Sequence, residues 1–136
     1  LSSAASDVYK RQYIKRVSFL GGECLADQNL DEVLKLVKQI RISFPEKTIW
    51  LYTGFCWNDI MCSFAGLQAD CVVLDKKDIE AWEKRRKIIS NVDVLVDGEY
   101  IDEQKDLSLK FKGSKNQRVI DVKQSLAQNK VVLYCD

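Results

Sequence analysis

The chain has 136 residues, of which 46% are apolar and 30% charged. This composition predicts one globular domain and excludes a disordered tail or a fibrous repeat. Its 21 basic and 20 acidic residues give a net charge of +1, so no basic field indicates nucleic acid or an anionic membrane as partner. No apolar run reaches the roughly 18 residues of a membrane-spanning helix. Histidine is absent from the sequence, which excludes histidine catalysis and histidine metal ligation within it.

The first twelve residues, LSSAASDVYKRQ, are small and polar and show no clear hydrophobic periodicity. They lack the apolar segment of a signal peptide. Because they resemble translated adapter or vector sequence, we expect residues 1–12 to be a non-native tail and the native protein to continue upstream. The alternative is a native flexible segment. On either interpretation, residues 13–136 are expected to form a single α/β domain.

The first half of the domain predicts a strand, a helix and a second strand. An apolar and β-branched run predicts the first strand over 13–20, and a Gly-Gly pair ends it. Apolar residues at helical spacing predict a helix over 30–44, which a proline ends. The second strand is predicted over 48–52. A strand, helix and strand joined this closely form a βαβ unit with parallel strands.

The second half predicts further alternating elements. In chain order they are a short helix over 57–65, an apolar run over 71–74 (strand or helix cap), a helix over 75–89, a strand over 92–96, a polar loop over 102–117, a helix over 118–128 and a strand over 131–134. The basic run Lys84–Lys87 lies on one of these helices. We interpret it as a solvated helix face rather than as a phosphate or partner patch.

The five cysteines favour free thiols over a disulfide framework, because their number is odd and their spacing irregular. They are Cys24, Cys56, Cys62, Cys71 and Cys135. No C-x-x-C pair is present, which excludes a zinc ribbon and a thioredoxin-like site. We expect a reducing, cytoplasmic environment, in which most of these thiols behave as small buried apolar groups.

The predicted strand ends are the expected binding site, since ligands of parallel α/β sheets bind at the carboxyl ends of strands. Three such ends carry loop-forming residues: Gly21-Gly22-Glu23, Thr53-Gly54 and Asp97-Gly98. At the first, two glycines let the backbone approach a ligand closely. Exposed carbonyls and the Glu23 carboxylate would make an acceptor-rich site suited to an ammonium group. The alternative is that the Gly-Gly pair only forms a turn after the strand. The loop lacks the length and lysine of a phosphate-binding loop.

Four short blocks in a fixed order carry a resemblance to a known family. They are Phe19–Glu23, Ile49–Gly54, Val92–Gly98 and Lys112–Arg118. Together they resemble the anaerobic ribonucleoside-triphosphate reductase activating proteins, which are small radical S-adenosylmethionine enzymes. The resemblance extends over residues 13–136.

The resemblance implies a partial (βα) barrel of the radical S-adenosylmethionine type, with a mainly parallel sheet. It implies a [4Fe-4S] cluster and S-adenosylmethionine as cofactors, and reductive cleavage to a 5′-deoxyadenosyl radical that abstracts hydrogen from a glycine of the partner reductase. The electron would come from reduced flavodoxin or a ferredoxin-type donor. In such a protein Gly21, Gly22 and Glu23 contact the methionine amino group. The other implied cofactor-binding residues are Tyr52, Thr53, Gly54, Asp97 and Gly98.

The sequence also departs from the family pattern. The C-x-x-x-C-x-x-C cluster motif expected upstream of the Gly-Gly pair is absent. Cys24, Glu99 and Lys112 stand where the family usually has proline, lysine and arginine. We therefore expect an N-terminally truncated, C-terminal part of such an activase, inactive by itself. The alternative is a non-catalytic α/β binding or protein-interaction module.

Overall fold

The computed structural model of the chain describes residues 15–20, 22–61 and 76–134. The strands in these ranges are β1 (Arg16–Phe19), β2 (Thr48–Tyr52), β3 (Val94–Asp97) and β4 (Arg118–Asp121). The helices are α1 (Leu30–Ser43), α2 (Trp57–Met61), α3 (Lys76–Ser90) and α4 (Val122–Gln128). None of these helices combines the length and the apolar character required to cross a membrane.

The four strands form one sheet in the order β1-β2-β3-β4. β1, β2 and β3 run parallel, and β4 pairs antiparallel with β3. The register places Phe19 beside Leu51, Leu51 beside Leu95, and Leu95 beside Ile120. The predicted α/β class and mainly parallel sheet are therefore confirmed, with an antiparallel strand at one edge.

Successive residues of the strands belong to two different apolar clusters. Ile49, Leu51, Leu95 and Ile120 belong to the large core that includes buried residues of α1 and α3. Their neighbours along the strands form a second cluster, consisting of Trp50, Val94, Val96 and Val119, against which Tyr52 packs. Since successive side chains of a strand point to opposite faces, the sheet has apolar residues on both faces.

Helix α1 follows the predicted pattern closely. Its buried residues are Leu30, Val33, Leu36, Val37 and Ile40, which lie on one face at helical spacing. Residues of α3 pack against the same core, among them Ile88 and Ile89. The basic run on α3 is only partly solvated, contrary to our interpretation. Arg85 is only 5% exposed. Its guanidinium donates to the Leu25 carbonyl and pairs with Asp27.

The prediction of one helix over 118–128 is wrong in its first four residues. Arg118–Asp121 form β4, because Val119 and Ile120 are β-branched and bury themselves on opposite faces of the sheet. Asp121 then caps α4, its Oδ1 accepting a hydrogen bond from the Gln124 amide at 3.0 Å.

Other boundaries shift less. The strand predicted over 131–134 is reduced to a single bridge between Leu133 and Ile120. The strand predicted over 92–96 is Val94–Asp97, and the short helix at 57 is described as far as Met61. The apolar run over 71–74 and residues 1–14 lie outside the described residues.

Candidate functional site

The carboxyl ends of the three parallel strands meet at an open cleft of about 240 Å³. The cleft is lined by Gly22, Glu23, Tyr52, Thr53, Gly54, Gly98, Glu99, Tyr100 and Gln117. Most residues predicted for the site are thus brought together. Gly21 lies outside the described residues, and Asp97 does not line the cleft.

The Glu23 carboxylate connects the ends of β1 and β2. Its Oε2 accepts hydrogen bonds from the Thr53 hydroxyl at 2.7 Å and from the Leu25 amide at 2.9 Å. Its Oε1 accepts one from the Gly54 amide at 2.7 Å. A carboxylate offers about four acceptor positions, so these three bonds fix the group and leave acceptor capacity at Oε1. The result is a negatively charged acceptor held in the wall of the cleft.

The backbone carbonyl of Glu23 has hydrogen-bond partners within the fold. The Glu23 carbonyl accepts hydrogen bonds from the Ala26 amide at 3.2 Å and from Asn29 Nδ2 at 2.9 Å. These bonds close the turn that leads into α1. The Gly22 carbonyl lies 3.8 Å from the Cys24 thiol. The Glu23 carbonyl is therefore used to close this turn, while the carboxylate of the same residue faces the cleft.

The glycines of the cleft are constrained in different ways. A Cβ at Gly22 would meet nothing within 4 Å, so this side of the cleft is open. A Cβ at Gly54 would lie 3.3 Å from Glu23 Oε1. Gly98 has a φ of +96°, a conformation that side-chain-bearing residues rarely adopt. Gly22 leaves space for a ligand, whereas Gly98 shapes the turn after β3.

Asp97 lies directly behind the cleft and is 1% exposed. Its carboxylate forms a bidentate pair with Arg118, whose Nη2 and Nε lie 2.6 and 3.1 Å from Oδ2 and Oδ1. Oδ2 also accepts the Trp57 amide at 2.8 Å, at the start of α2. The hydrogen bond from Arg118 to Asp97 raises the pKa of that arginine further. Asp97 therefore links the end of β3 to α2 and to β4 through these hydrogen bonds.

Sequence reasoning assigned no role to Gln117, although the residue lies in one of the four resemblance blocks. Its Oε1 accepts the amides of Gly113 and Ser114 at 2.9 and 3.2 Å. Its Nε2 donates to the Gly98 carbonyl at 3.0 Å. Gln117 thus ties the loop before β4 to the cleft. Glu99 and Tyr100 also line the cleft without having been predicted as site residues. The Tyr100 hydroxyl donates a hydrogen bond to Asp102 at 3.2 Å.

Two of the five cysteines, Cys24 and Cys56, are among the described residues. Cys24 is fully buried and Cys56 is exposed, while Cys62, Cys71 and Cys135 lie outside the described residues. Burial, with the nearby Glu23 charge, raises the pKa of the Cys24 thiol to about 11. Across 15–20, 22–61 and 76–134, no three histidine, cysteine or carboxylate side chains are placed to hold a metal ion. These residues do not fit a [4Fe-4S] cluster, which needs several thiolate ligands.

The sequence matches a family model and several curated relatives. The family model described as "4Fe-4S single cluster domain" matches residues 1–120. An anaerobic ribonucleoside-triphosphate reductase-activating protein of Enterobacteria phage T4 is 32% identical over 80% of this chain and 54% of its own length. The Escherichia coli K12 protein of the same name is 32% identical over 78% and 56%. The Vibrio cholerae protein is 34% identical over 76% and 55%.

These relatives confirm the resemblance carried by the four sequence blocks. The chain spans about half the length of the curated relatives it matches. No solved structure gave a significant match.

Proposed function

The chain belongs to the family of 4Fe-4S single cluster domains, and we propose that it is the S-adenosylmethionine-binding part of an activating enzyme for anaerobic ribonucleotide reductase. The names of its relatives support the target reductase. The observation that supports the ligand is the Glu23 carboxylate, which faces the cleft while anchored to Thr53 and Gly54.

The methionine ammonium would bind Glu23 Oε1, where the three hydrogen bonds from the protein leave room for one more. The open space beside Gly22 would admit the methionine part of S-adenosylmethionine. Tyr52, Thr53, Gly54 and Gly98 would form the remaining walls, and Asp97 would hold the end of β3. Because an ammonium–carboxylate contact is a charge-assisted hydrogen bond, it would give the site its preference for an amino acid.

The proposed reaction is reductive cleavage of S-adenosylmethionine, followed by hydrogen abstraction from a glycine of the reductase. The electron donor would be reduced flavodoxin or a ferredoxin-type protein in the cytoplasm. The described residues do not fit the cluster, so we assign them ligand binding alone. Complete activity would need thiolate ligands beyond them, and the described part would be inactive by itself. The three parallel strands with helices against one face agree with a partial (βα) barrel.

The test is calorimetric titration of the chain, without oxygen, with S-adenosylmethionine and with its deamino analogue. We expect the amino compound to bind at least about tenfold more tightly, which corresponds to one charge-assisted hydrogen bond. Equal affinities, or no binding of either compound, would refute the proposal.

A non-catalytic α/β interaction module is the second candidate, because the residues that the structure describes lack a group able to hold a metal. Reading the encoding DNA upstream of Tyr13 separates the two candidates. An in-frame C-x-x-x-C-x-x-C supports the activase, whereas a genuine start codon near Tyr13 supports the module.

A further inference from the structure

We infer that Arg85, a residue of α3 outside the cleft lining, positions the Glu23 carboxylate for ligand binding. This inference rests on the proposed function. It starts from an unusual feature of α3, namely a guanidinium buried between the loops that follow β1 and β2. The side chain of Arg85 is 6% exposed, and burial of a charge is tolerated only when the charge is paired and hydrogen-bonded.

The polar contacts of Arg85 go to the turn directly after Glu23. Its Nε donates to the Leu25 carbonyl at 2.8 Å. Its Nη2 forms an ion pair with Asp27. Both partners lie within four residues of Glu23, so one side chain binds this segment at two points.

Leu25 transmits this constraint to the carboxylate. The carbonyl of Leu25 accepts from Arg85, and the amide of the same residue donates to Glu23 Oε2 at 2.9 Å. Leu25 is fully buried, so the turn cannot shift without disturbing the core. The carboxylate is therefore held by the turn on one side and by Thr53 and Gly54 on the other.

The guanidinium of Arg85 stacks on Phe55, in the second loop, and on Trp82, which belongs to α3 itself. The guanidinium carbon lies 4.6 Å from the ring centres of both Phe55 and Trp82. The Phe55 amide donates to the Thr53 hydroxyl at 3.1 Å, the group that also bonds Glu23. Arg85 thus contacts both loops that the carboxylate joins. Lysine has no planar fork to make this set of contacts, so the site requires arginine.

The experiment compares Arg85→Met and Arg85→Lys with Lys84→Met as the matched control. Lys84 precedes Arg85 on α3 and forms an ion pair at 2.8 Å with Asp31, in the first turn of α1. The first measurement is the ratio of the affinities for S-adenosylmethionine and its deamino analogue. A merely structural role would weaken both ligands together and leave this ratio unchanged. We expect both Arg85 variants to lose most of an about tenfold preference and the Lys84 variant to keep it.

The second measurement is amide hydrogen exchange at Leu25 and Gly54, which needs no ligand. Both amides donate to Glu23, so release of the carboxylate should speed their exchange by about tenfold or more in the Arg85 variants, relative to core amides. Unchanged exchange and an unchanged affinity ratio would overturn the inference. If the unsubstituted chain shows no amino preference, the proposed function fails instead. Exchange then still decides whether Arg85 holds the turn.

Discussion

The Thr53 hydroxyl donates a 2.7 Å hydrogen bond to Glu23 Oε2 across 30 residues of sequence. This bond joins the residue after β2 to the loop after β1, at the point where the two parallel strands end. Thr53 is itself buried and accepts the Phe55 amide at 3.1 Å, so the hydroxyl uses both its donor and an acceptor position. The carboxylate is consequently part of the fold as well as of the cleft.

Glu23→Gln should therefore have two effects. Glutamine presents an NH₂ group where one carboxylate oxygen accepts, so at least one of the three hydrogen bonds is lost. We expect the free energy of unfolding to fall by about 1–3 kcal/mol, measured by urea denaturation. We also expect affinity for S-adenosylmethionine to fall about 10- to 100-fold, since the charge that binds the ammonium is removed.

Glu99→Gln is the matched control, because Glu99 also lines the cleft. Its effect on affinity should be smaller than that of Glu23→Gln. If Glu99→Gln abolishes binding while Glu23→Gln binds normally, the ammonium site lies on the loop after β3.

Gly22→Val should separate ligand binding from stability. A Cβ at Gly22 points into open space, so the free energy of unfolding should change by no more than about 0.5 kcal/mol. The branched side chain would occupy the space proposed for the ligand, and S-adenosylmethionine affinity should fall by at least about tenfold. Calorimetry and urea denaturation of the same preparation provide the two numbers.

Gly54→Ala is the useful comparison, since its Cβ would lie 3.3 Å from Glu23 Oε1 and push this oxygen by a few tenths of an ångström. It should lower both stability and affinity. A Gly22→Val protein that binds as tightly as the unsubstituted chain would place the ligand elsewhere.

Asp97→Asn should lower stability more than affinity. The carboxylate is buried, but its partner Arg118 is 36% exposed, so water compensates part of the lost pair. We expect a loss of about 2 kcal/mol in the free energy of unfolding and an affinity within about threefold of normal. A large loss of affinity at unchanged stability would instead favour the direct cofactor contact that the family resemblance implied for Asp97.

The contrast between Glu23 and Asp97 shows how far the sequence could go. Both were predicted at the carboxyl ends of parallel strands, where ligands bind, and the family resemblance implied their cofactor contacts. Both do lie at that edge of the sheet. Which carboxylate faces the cleft depends on Arg118, a residue that reaches Asp97 only because β4 pairs antiparallel with β3. Arg85 was beyond prediction for a similar reason. Its partners Leu25 and Asp27 are 60 and 58 residues away in sequence, and periodicity carries no information on such contacts.

The two described thiols should differ in reactivity with iodoacetamide. Cys24 is buried, and burial together with the Glu23 charge raises its pKa from 9.0 to about 11. The pKa of Cys56 is also raised, by partial burial and by Asp97, but Cys56 is exposed. Because the thiolate is the nucleophile and must also be reached by the reagent, we expect Cys56 to be alkylated at least about tenfold faster at pH 8. Tandem mass spectrometry measures both rates if it localises the adduct to each cysteine, because the tryptic peptide that carries Cys56 also carries Cys62 and Cys71.

The same pKa predicts a loss of stability at alkaline pH. In the unfolded chain the Cys24 thiol ionises near pH 9, whereas in the folded protein it keeps its proton until about pH 11. The unfolded state therefore binds fewer protons in this window, and the free energy of unfolding falls as pH rises from 9 to 11. Lysines and tyrosines also titrate there, so the quantity to compare is the difference between the unsubstituted chain and Cys24→Ala. That difference should shrink by about 2 kcal/mol across the window. A difference that stays constant from pH 8 to 11 would show that the Cys24 thiol ionises alike in the folded and unfolded states.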